Sequence, residues 1–185
     1  INVIYTRKKD VFVDLFERAN IANRSDAQLF ISVHCDAHTS QAYGAGTFVL
    51  GLHANERNFE IAKKENSVIF FEDNYEDTYD GFDPNNPESV IGLTLMQEEY
   101  LDQSIIAASY IQNSFINTLK RTNRNVKQAG FIVIKYTYMP SVLVETGFLT
   151  TRTEWLYLNS SKCQSEMADA ISLAVLQYKT DFFTK

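Results

Sequence analysis

The sequence predicts one α/β domain over residues 1–185, with a largely parallel, twisted sheet and helices on both of its faces. Its 185 residues, 45% of them hydrophobic, are enough to bury the core of a single domain without disulfides or metals as staples. Short apolar runs typical of buried strands alternate with stretches in which apolar residues recur at helical spacing. No internal repeat or low-complexity segment interrupts this alternation, which is typical of α/β proteins.

Each predicted element rests on its own pattern. Apolar runs, one of them bounded by glycines, predict strands over residues 3–6, 29–33, 46–51, 130–134 and 141–145. Helical periodicity predicts helices over residues 11–22, 55–67, 87–119 with a break near Asp102, a short one from about 153, and 164–178. Pro87 suits the first position of its helix, because Asn86 can act as the preceding cap.

Charge is spread unevenly along the chain. Residues 65–119 contain 11 acidic side chains and no lysine or arginine, so this block carries −11 while the rest of the chain carries +5. Its most acidic part, residues 70–87, predicts a long loop within an insertion of about residues 66–103. The formal net charge of −6 argues against a nucleic-acid partner, because such binders usually carry a basic surplus.

Features that the sequence lacks exclude several classes of protein. No apolar run approaches the roughly 20 residues needed to cross a bilayer, so no membrane span is expected. The two cysteines, Cys35 and Cys163, are too few for a disulfide framework. The first residues read as a strand, without a start methionine or a signal peptide, so we expect the chain to begin inside a larger gene product.

Two predicted strands end in residues that could carry chemistry. The run 31–33 leads to His34, and the run 142–144 leads to Glu145. Ligands of open α/β sheets bind beyond the carboxyl ends of the strands, so we expect both side chains at one rim. A neutral imidazole binds zinc and a glutamate can take a proton from a zinc-bound water, which together suit metal-assisted hydrolysis. The alternative is that both residues only satisfy backbone groups at the strand ends.

A set of segments in a fixed order gives this site a family context. The segments are Thr6-Arg7 with Asp10, Leu15 with 18–20, 29–34 with Ala37, 44–51, 65–67, 126–131, 139–150, Glu154, 157–158, 167–168 and 170–171. With them the sequence resembles the zinc-dependent N-acetylmuramoyl-L-alanine amidases, which cut peptidoglycan between muramic acid and the first alanine of the stem peptide. The segments cover nearly the whole chain, and their combination is far more specific than one short motif.

The resemblance assigns roles to the same two residues that the strand ends indicate. It implies that His34 is a zinc ligand and that Glu145 is the catalytic glutamate of an amidase with zinc as its cofactor. It also implies action on peptidoglycan, in cell-wall turnover and cell division, in the periplasm or the extracellular cell envelope. The alternative is a peptidoglycan-binding fragment, or a degenerate relative, that does not cut its ligand.

The family's other two zinc ligands lie upstream of the segment that matches Ile1. Because a catalytic zinc needs about three protein ligands, the chain as written is expected to hold no zinc at His34 and to be inactive. Cys35, Asp36 and His38 follow His34 closely and offer substitute ligands. Zinc sites usually draw paired ligands from two separate places, which favours the interpretation of Asp36 and His38 as solvated loop residues.

The resemblance also implies a regulatory role for the acidic insertion. Some relatives carry a helical segment there that covers the active site until an activator protein moves it, while an acidic side chain occupies the open position of the zinc. Glu88, Glu98 and Glu99 are the candidates for this autoinhibitory contact. The alternative is a solvated acidic face without a regulatory role.

Overall fold

The computed structural model describes residues 1–52, 56–89 and 98–183. The elements along the chain are α1 (Leu15–Arg24), β1 (Phe30–Asp36), β2 (Ala45–Leu50), α2 (Glu56–Asn66), a 3-10 helix (Ser67–Phe71), α3 (Tyr75–Thr78), α4 (Glu98–Asn117), β3 (Asn123–Ala129), α5 (Ile132–Lys135), β4 (Ser141–Phe148), α6 (Arg152–Leu158) and α7 (Ser161–Phe183). None of the described helices combines the length and the apolar character that crossing a bilayer requires.

The chain divides into two compact units. Unit 1 consists of Ile1–Phe30, Leu50–Leu101 and Gln128–Ser141, and unit 2 consists of Ile31–Val49, Asp102–Lys127 and Val142–Lys185. Helices α1, α2, α3 and α5 belong to unit 1. The strands lie mainly in unit 2, together with most of α4 and with α6 and α7.

The four strands form one sheet in the order β1-β4-β2-β3. Strands β1 and β4 run in the same direction, because the hydrogen bonds at their two ends follow the same order along both strands. Phe30 N donates to the Pro140 carbonyl at one end, and Leu149 N donates to the Asp36 carbonyl at the other. This parallel pair brings the carboxyl ends of β1 and β4 to the same edge of the sheet, as the sequence predicts.

Strands β2 and β4 are antiparallel, with Gly46 opposite Glu145 and Phe48 opposite Leu143. The α/β class is confirmed, but the sheet is mixed where the sequence predicts a largely parallel one. Both strands are buried at every residue. A strand that is buried on both faces has no polar alternation, and its apolar run therefore does not reveal the direction of its neighbour.

Helix α4 packs on β2 within unit 2. The Thr47 hydroxyl donates to the Ala108 carbonyl at 3.4 Å, and the buried Gln112 amide donates to the Ala45 carbonyl at 2.9 Å. The helix continues through Asp102 without the predicted break. Strand β2, an inner strand of the sheet, is thus tied to a long helix by hydrogen bonds.

A buried asparagine organises part of unit 1. The Asn66 side-chain amide donates to the Gly130 carbonyl at 2.7 Å, and its oxygen accepts from Ile132 N at 2.9 Å. These bonds satisfy backbone groups at the start of α5, a one-turn helix that overlaps residues 130–134, where the sequence predicts a strand. That prediction is wrong because a short buried apolar run has the same composition in a strand and in a helix.

The acidic segment is anchored to α1 inside unit 1. The Glu72 carboxylate, 6% exposed, accepts from Leu15 N at 2.8 Å and from the Tyr79 hydroxyl at 2.5 Å. Phe16 N donates to the same hydroxyl at 3.1 Å. N–H groups in the first turn of a helix have no acceptor within their own helix, so these bonds cap α1. Residues 70–87 therefore contain ordered structure, including α3, where the sequence predicts one long loop.

Two other local predictions have opposite outcomes. Residues 3–6, predicted as a strand, are irregular and largely exposed. A strand needs partners for its backbone groups, and no described strand pairs with this run. Asn86 caps the helical turn that follows it as predicted, because its Oδ1 accepts from Glu88 N at 2.9 Å.

We expect Tyr79→Phe to lower the free energy of unfolding by about 1–3 kcal/mol, because it removes a buried hydroxyl that bonds both Glu72 and Phe16 N. Tyr138→Phe is the matched control, since it removes the same atom from a ring that is 75% exposed. Urea unfolding followed by circular dichroism measures both variants. Equal unfolding midpoints for Tyr79→Phe and the parent would show that the anchor does not stabilise the fold.

Candidate active site

His34 and Glu145 lie side by side on neighbouring strands of unit 2. A ring nitrogen of His34 and a carboxylate oxygen of Glu145 are within 4.8 Å of each other. The Thr146 hydroxyl donates to the His34 carbonyl at 2.9 Å, which fixes β4 against β1 at this point. The structure thus brings together the two side chains that the strand ends indicate.

The two side chains have different surroundings. His34 is half-buried, and its Nε2 lies 3.0 Å from the hydroxyl of Ser32, two residues earlier on the same face of β1. Glu145 is only 3% exposed and follows three strand residues that are fully buried, 142–144. The histidine is therefore accessible from solvent, while the carboxylate belongs to the interior of the sheet.

The donor atoms of this pair fit zinc. An imidazole nitrogen and a carboxylate oxygen are both normal zinc ligands, and buried charges in proteins are generally paired or bound to metals. Both side chains stand on strands of one sheet, which holds them more rigidly than a loop would. His34 is thus suited to bind a metal ion, and Glu145 is suited to bind it or to exchange a proton beside it.

Glu65 is a further residue whose carboxylate offers a ligand atom to a metal ion. It lies in the last turn of α2 in unit 1, where its carboxylate is 3.8 Å from the Lys64 ammonium and its side chain is 18% exposed. The sequence analysis did not single it out as a ligand. The sequence feature that could have identified it is its position at the start of the segment 65–67, which carries part of the family resemblance.

Cys35 is on the opposite face of β1 from His34. Its Sγ lies 3.2 Å from the hydroxyl of Thr146, which alternates with Glu145 along β4 and therefore also occupies that opposite face. Partial burial raises the pKa of the Cys35 thiol, the hydrogen bond to Thr146 lowers it, and the negative charge of Glu145 raises it again. Alternation along the strand separates this thiol from the His34 ring, so Cys35 does not complete a site there.

Asp36 and His38 make local hydrogen bonds. Asp36 is the last residue of β1, is 4% exposed, and accepts from Ala37 N at 2.6 Å. His38 Nδ1 accepts from Ser40 N at 3.0 Å. Over residues 1–52, 56–89 and 98–183, neither joins a group of three potential metal ligands. The interpretation of Asp36 as a solvated loop residue is wrong, because β1 continues two residues beyond His34.

A buried ion pair supports the end of β4. Arg121 contacts Glu154 twice, with Nη1–Oε1 at 2.9 Å and Nη2–Oε2 at 2.5 Å. Nη2 also donates to the Thr146 carbonyl at 3.4 Å, and Gly44 N donates to Glu154 Oε2 at 3.2 Å. A Cβ atom at Gly147 would lie 2.7 Å from Glu154 Oε2, so only glycine allows this close approach. The pair therefore fixes the two residues that follow the predicted catalytic glutamate.

Of the three predicted autoinhibitory residues, Glu98 and Glu99 begin α4, and Glu88 lies in the helical turn that follows Asn86. Glu88 and Glu99 are exposed. Glu98 is the first residue of α4, and its side chain is outside the described part of the chain. Residues 90–97, in the middle of the predicted insertion, are also outside it. The exposed carboxylates are available to a partner or a metal ion, and their regulatory role stays a prediction.

We expect Glu154→Gln to lower the free energy of unfolding by about 3 kcal/mol, because it leaves the buried Arg121 guanidinium without its counter-charge. The side chains of this pair are only 12% and 6% exposed. Glu166→Gln is the control, since it breaks the exposed Lys162–Glu166 pair and should cost less than about 0.5 kcal/mol. Urea unfolding compares the two, and similar losses in both variants would show that the buried pair has no special role.

Several known proteins share this sequence pattern. The chain matches the N-acetylmuramoyl-L-alanine amidase family over residues 1–177. The N-acetylmuramoyl-L-alanine amidase AmiA of Escherichia coli (strain K12) is 30% identical over 181 residues, which cover 96% of this chain and 61% of AmiA. LytC of Bacillus subtilis (strain 168) is 27% identical over 175 residues, which cover 95% of this chain and 26% of LytC. The chain thus spans less than two thirds of the length of these curated relatives.

Solved structures share the fold. The N-acetylmuramoyl-L-alanine amidase from Clostridium difficile 630 superposes with a TM-score of 0.65 at 23% identity, covering 93% of this chain and 68% of that one. AmiC2 of Nostoc punctiforme gives a TM-score of 0.62 at 23% identity, covering 95% and 71%. Because the family match extends over almost the whole sequence, the chain belongs to the N-acetylmuramoyl-L-alanine amidase family.

Proposed function

We propose that this protein, in a form that carries the family's two upstream zinc ligands, hydrolyses the amide bond between N-acetylmuramic acid and L-alanine of peptidoglycan. The observation that carries the proposal is the pairing of His34 and Glu145 on neighbouring strands, within 4.8 Å of each other, in a chain of the amidase family. Since peptidoglycan lies outside the cytoplasmic membrane, the site of action is the periplasm or the extracellular cell envelope. The cofactor is zinc, because the donor atoms match it.

In the mechanism, Glu145 is the proton carrier. Zinc, when bound, lowers the pKa of a coordinated water and polarises the carbonyl group of the scissile amide. Glu145 accepts a proton from the attacking water as its oxygen bonds to the carbonyl carbon. The same proton passes to the nitrogen of L-alanine as the C–N bond breaks, so that a free carboxylate and a free amine result. Burial in the sheet excludes bulk water from this carboxylate.

His34 holds the metal ion in the proposal. A metal-binding imidazole needs a fixed tautomer and ring orientation, which a hydrogen-bond partner on the second ring nitrogen or a neighbouring group supplies. The Ser32 hydroxyl, 3.0 Å from Nε2, restrains the His34 ring. The metal-binding experiments also include a variant of Glu65. A carboxylate is a normal zinc ligand, and Glu65 lies in a segment that resembles the family.

In a form of the protein that carries the family's two upstream zinc ligands, we expect Glu145→Gln to keep its metal but to lose turnover by about 100-fold or more, because an amide cannot accept the proton. His34→Ala should lose metal as well as activity. Glu65→Gln is measured for metal in the same series, and Glu166→Gln serves as a remote control of the same chemical change. Elemental analysis of the purified proteins gives the zinc content, and release of stem peptide from purified peptidoglycan gives the rate.

Near-normal hydrolysis by folded Glu145→Gln would contradict the proposed mechanism. The remaining alternative is a protein that binds peptidoglycan without cutting it. Co-sedimentation with insoluble peptidoglycan tests this alternative. Binding by the parent protein without any release of peptide would indicate a peptidoglycan-binding module instead of an enzyme.

The acidic insertion is the proposed regulatory element of this amidase. In this account a carboxylate of Glu88, Glu98 or Glu99 shields the metal until an activator protein draws the insertion away. Two observations support it: Glu88 and Glu99 are exposed, and residues 65–119 carry 11 acidic side chains with no basic one. A solved relative of the same fold, the CwlD amidase from Clostridioides difficile, is in complex with the GerS lipoprotein, so complexes with a second protein occur on this fold.

We expect the triple variant Glu88→Gln, Glu98→Gln and Glu99→Gln to hydrolyse peptidoglycan faster than the parent in the absence of any activator. Neutralisation is preferable to deletion, because Glu72 and Tyr79 within the insertion cap α1. The matched control neutralises three other exposed residues of the insertion, Asp73, Glu76 and Asp77. An unchanged rate in the first variant, or the same increase in the control, would contradict a specific autoinhibitory contact by these three glutamates.

A further inference from the structure

We propose that His38 is a substrate-binding residue whose Nε2–H group donates a hydrogen bond to a carboxylate of the stem peptide. The inference rests on the proposed amide hydrolysis, and it adds a contact with the substrate away from the bond that is cut. Three observations in unit 2 carry it: the position of His38 beyond two strand ends, the tautomer of its ring, and the guanidinium that packs on the same aromatic side chain.

His38 lies just beyond the edge of the sheet at which β1 and β4 end. Its backbone is held there by Thr150, whose hydroxyl accepts from His38 N at 2.9 Å and donates to the His38 carbonyl at 2.8 Å. Ligands of open α/β sheets bind beyond the carboxyl ends of the strands. The loop after β1 therefore fixes His38 at the edge of the sheet that also carries His34 and Glu145.

Hydrogen bonds within the loop define the tautomer of the His38 ring. Ser40 N lies 3.0 Å from Nδ1, and a backbone N–H can only donate, so Nδ1 is the acceptor and the ring proton is on Nε2. Over residues 1–52, 56–89 and 98–183 no group bonds Nε2, and this atom is not among the buried side-chain atoms that lack a partner. Nε2 is thus a hydrogen-bond donor that faces solvent.

The Phe148 ring holds the His38 ring in place and brings a positive charge close to it. Phe148 is 2% exposed, and its ring meets the His38 ring edge-on, with the centroids 6.4 Å apart. The Arg124 guanidinium lies over the same Phe148 ring, with Cζ 4.7 Å from the centroid, and donates to the Tyr43 carbonyl at 3.3 Å. A fixed N–H donor near a guanidinium favours an anionic oxygen over a neutral one as its acceptor.

The distance from His34 indicates which part of the substrate supplies this anion. His38 follows His34 by four residues, which is roughly 13 Å along an extended chain. The carboxyl group of muramic acid is part of the amide that is cut, whereas the stem peptide carries free carboxylates from its second residue onwards. Two extended residues span roughly 7 Å, and the side chains of both partners reach further. The expected ligand is therefore a carboxylate at or beyond the second residue of the stem peptide.

Two substitutions of His38 separate the donor from the structure of the loop. His38→Asn keeps an acceptor for Ser40 N, because the asparagine oxygen takes the place of Nδ1, but it has no donor at the position of Nε2. His38→Gln places an amide N–H close to that position. Both are made in Glu145→Gln, zinc-loaded and in a form that carries the family's two upstream zinc ligands, so that the ligand binds without being cut.

The probe is N-acetylmuramoyl-L-alanyl-D-isoglutamine, whose binding is measured by calorimetry. We expect His38→Asn to weaken the binding about tenfold, because it removes a hydrogen bond to a charged group, and His38→Gln to stay within about threefold of the parent. Neither substitution should change the affinity for the same probe with its carboxylate amidated. In the enzyme that retains Glu145, His38→Asn should raise KM for peptide release and leave kcat within about twofold, as expected for a contact made equally in the ground state and the transition state.

Equal affinities of the parent and His38→Asn for the probe would overturn the inference, as would a parent that does not bind the probe. The same loss of affinity for the amidated probe would show that His38 donates to a neutral oxygen, and would overturn the assignment to a carboxylate. A zinc-loaded enzyme that releases no peptide from peptidoglycan, while His38→Asn still weakens binding of the probe, would overturn the proposed function and leave the binding role of His38.

Discussion

The carboxylate of Glu145 lies in a strand that is buried at every residue, and this constraint shapes the rest of unit 2. A charge in such a position costs free energy unless cations, hydrogen-bond donors or a metal ion compensate for it. The neighbouring strand β1 supplies a group of that kind, because it places the His34 imidazole within 4.8 Å. A buried carboxylate beside a histidine lowers the stability of the fold but suits proton transfer. A catalytic role therefore explains the position of Glu145 more readily than a role in folding does.

Single buried polar side chains satisfy backbone N–H groups at the starts of two helices and in one loop. Asn66 binds the backbone of Ile132 across 66 residues, Glu72 binds that of Leu15 across 57, and Glu154 binds that of Gly44 across 110. In each case the side chain satisfies a backbone N–H that has no partner in a helix or a strand. The first two order unit 1, and the third supports the end of the strand that carries the predicted catalytic glutamate in unit 2.

Sequence reasoning placed His34 and Glu145 together because the rule behind it is geometric, while their chemical roles stay predictions. Parallel strands such as β1 and β4 deliver their carboxyl ends to one edge, and apolar runs that end in His34 and Glu145 are visible without a structure. The strand predicted at residues 130–134 failed, since its apolar composition is equally compatible with α5, and only Asn66, far away in sequence, decides between the two. The pairing of Gly46 with Glu145 depends on the register of β2, which no local pattern records. The boundaries of the acidic insertion stay a prediction. Its composition predicted a loop around Glu72, where the structure shows an ordered anchor to α1.

The most direct test of this account is a crystal structure of the zinc-loaded protein, in a form that carries the family's two upstream zinc ligands, with data collected at the zinc absorption edge. The account predicts an anomalous peak bound to a ring nitrogen of His34, at a distance of about 2.0–2.1 Å, on the face of the sheet that carries the Glu145 carboxylate. A zinc peak on the other face, bound by Cys35, or a zinc-loaded protein whose metal lies away from both strands, would contradict it.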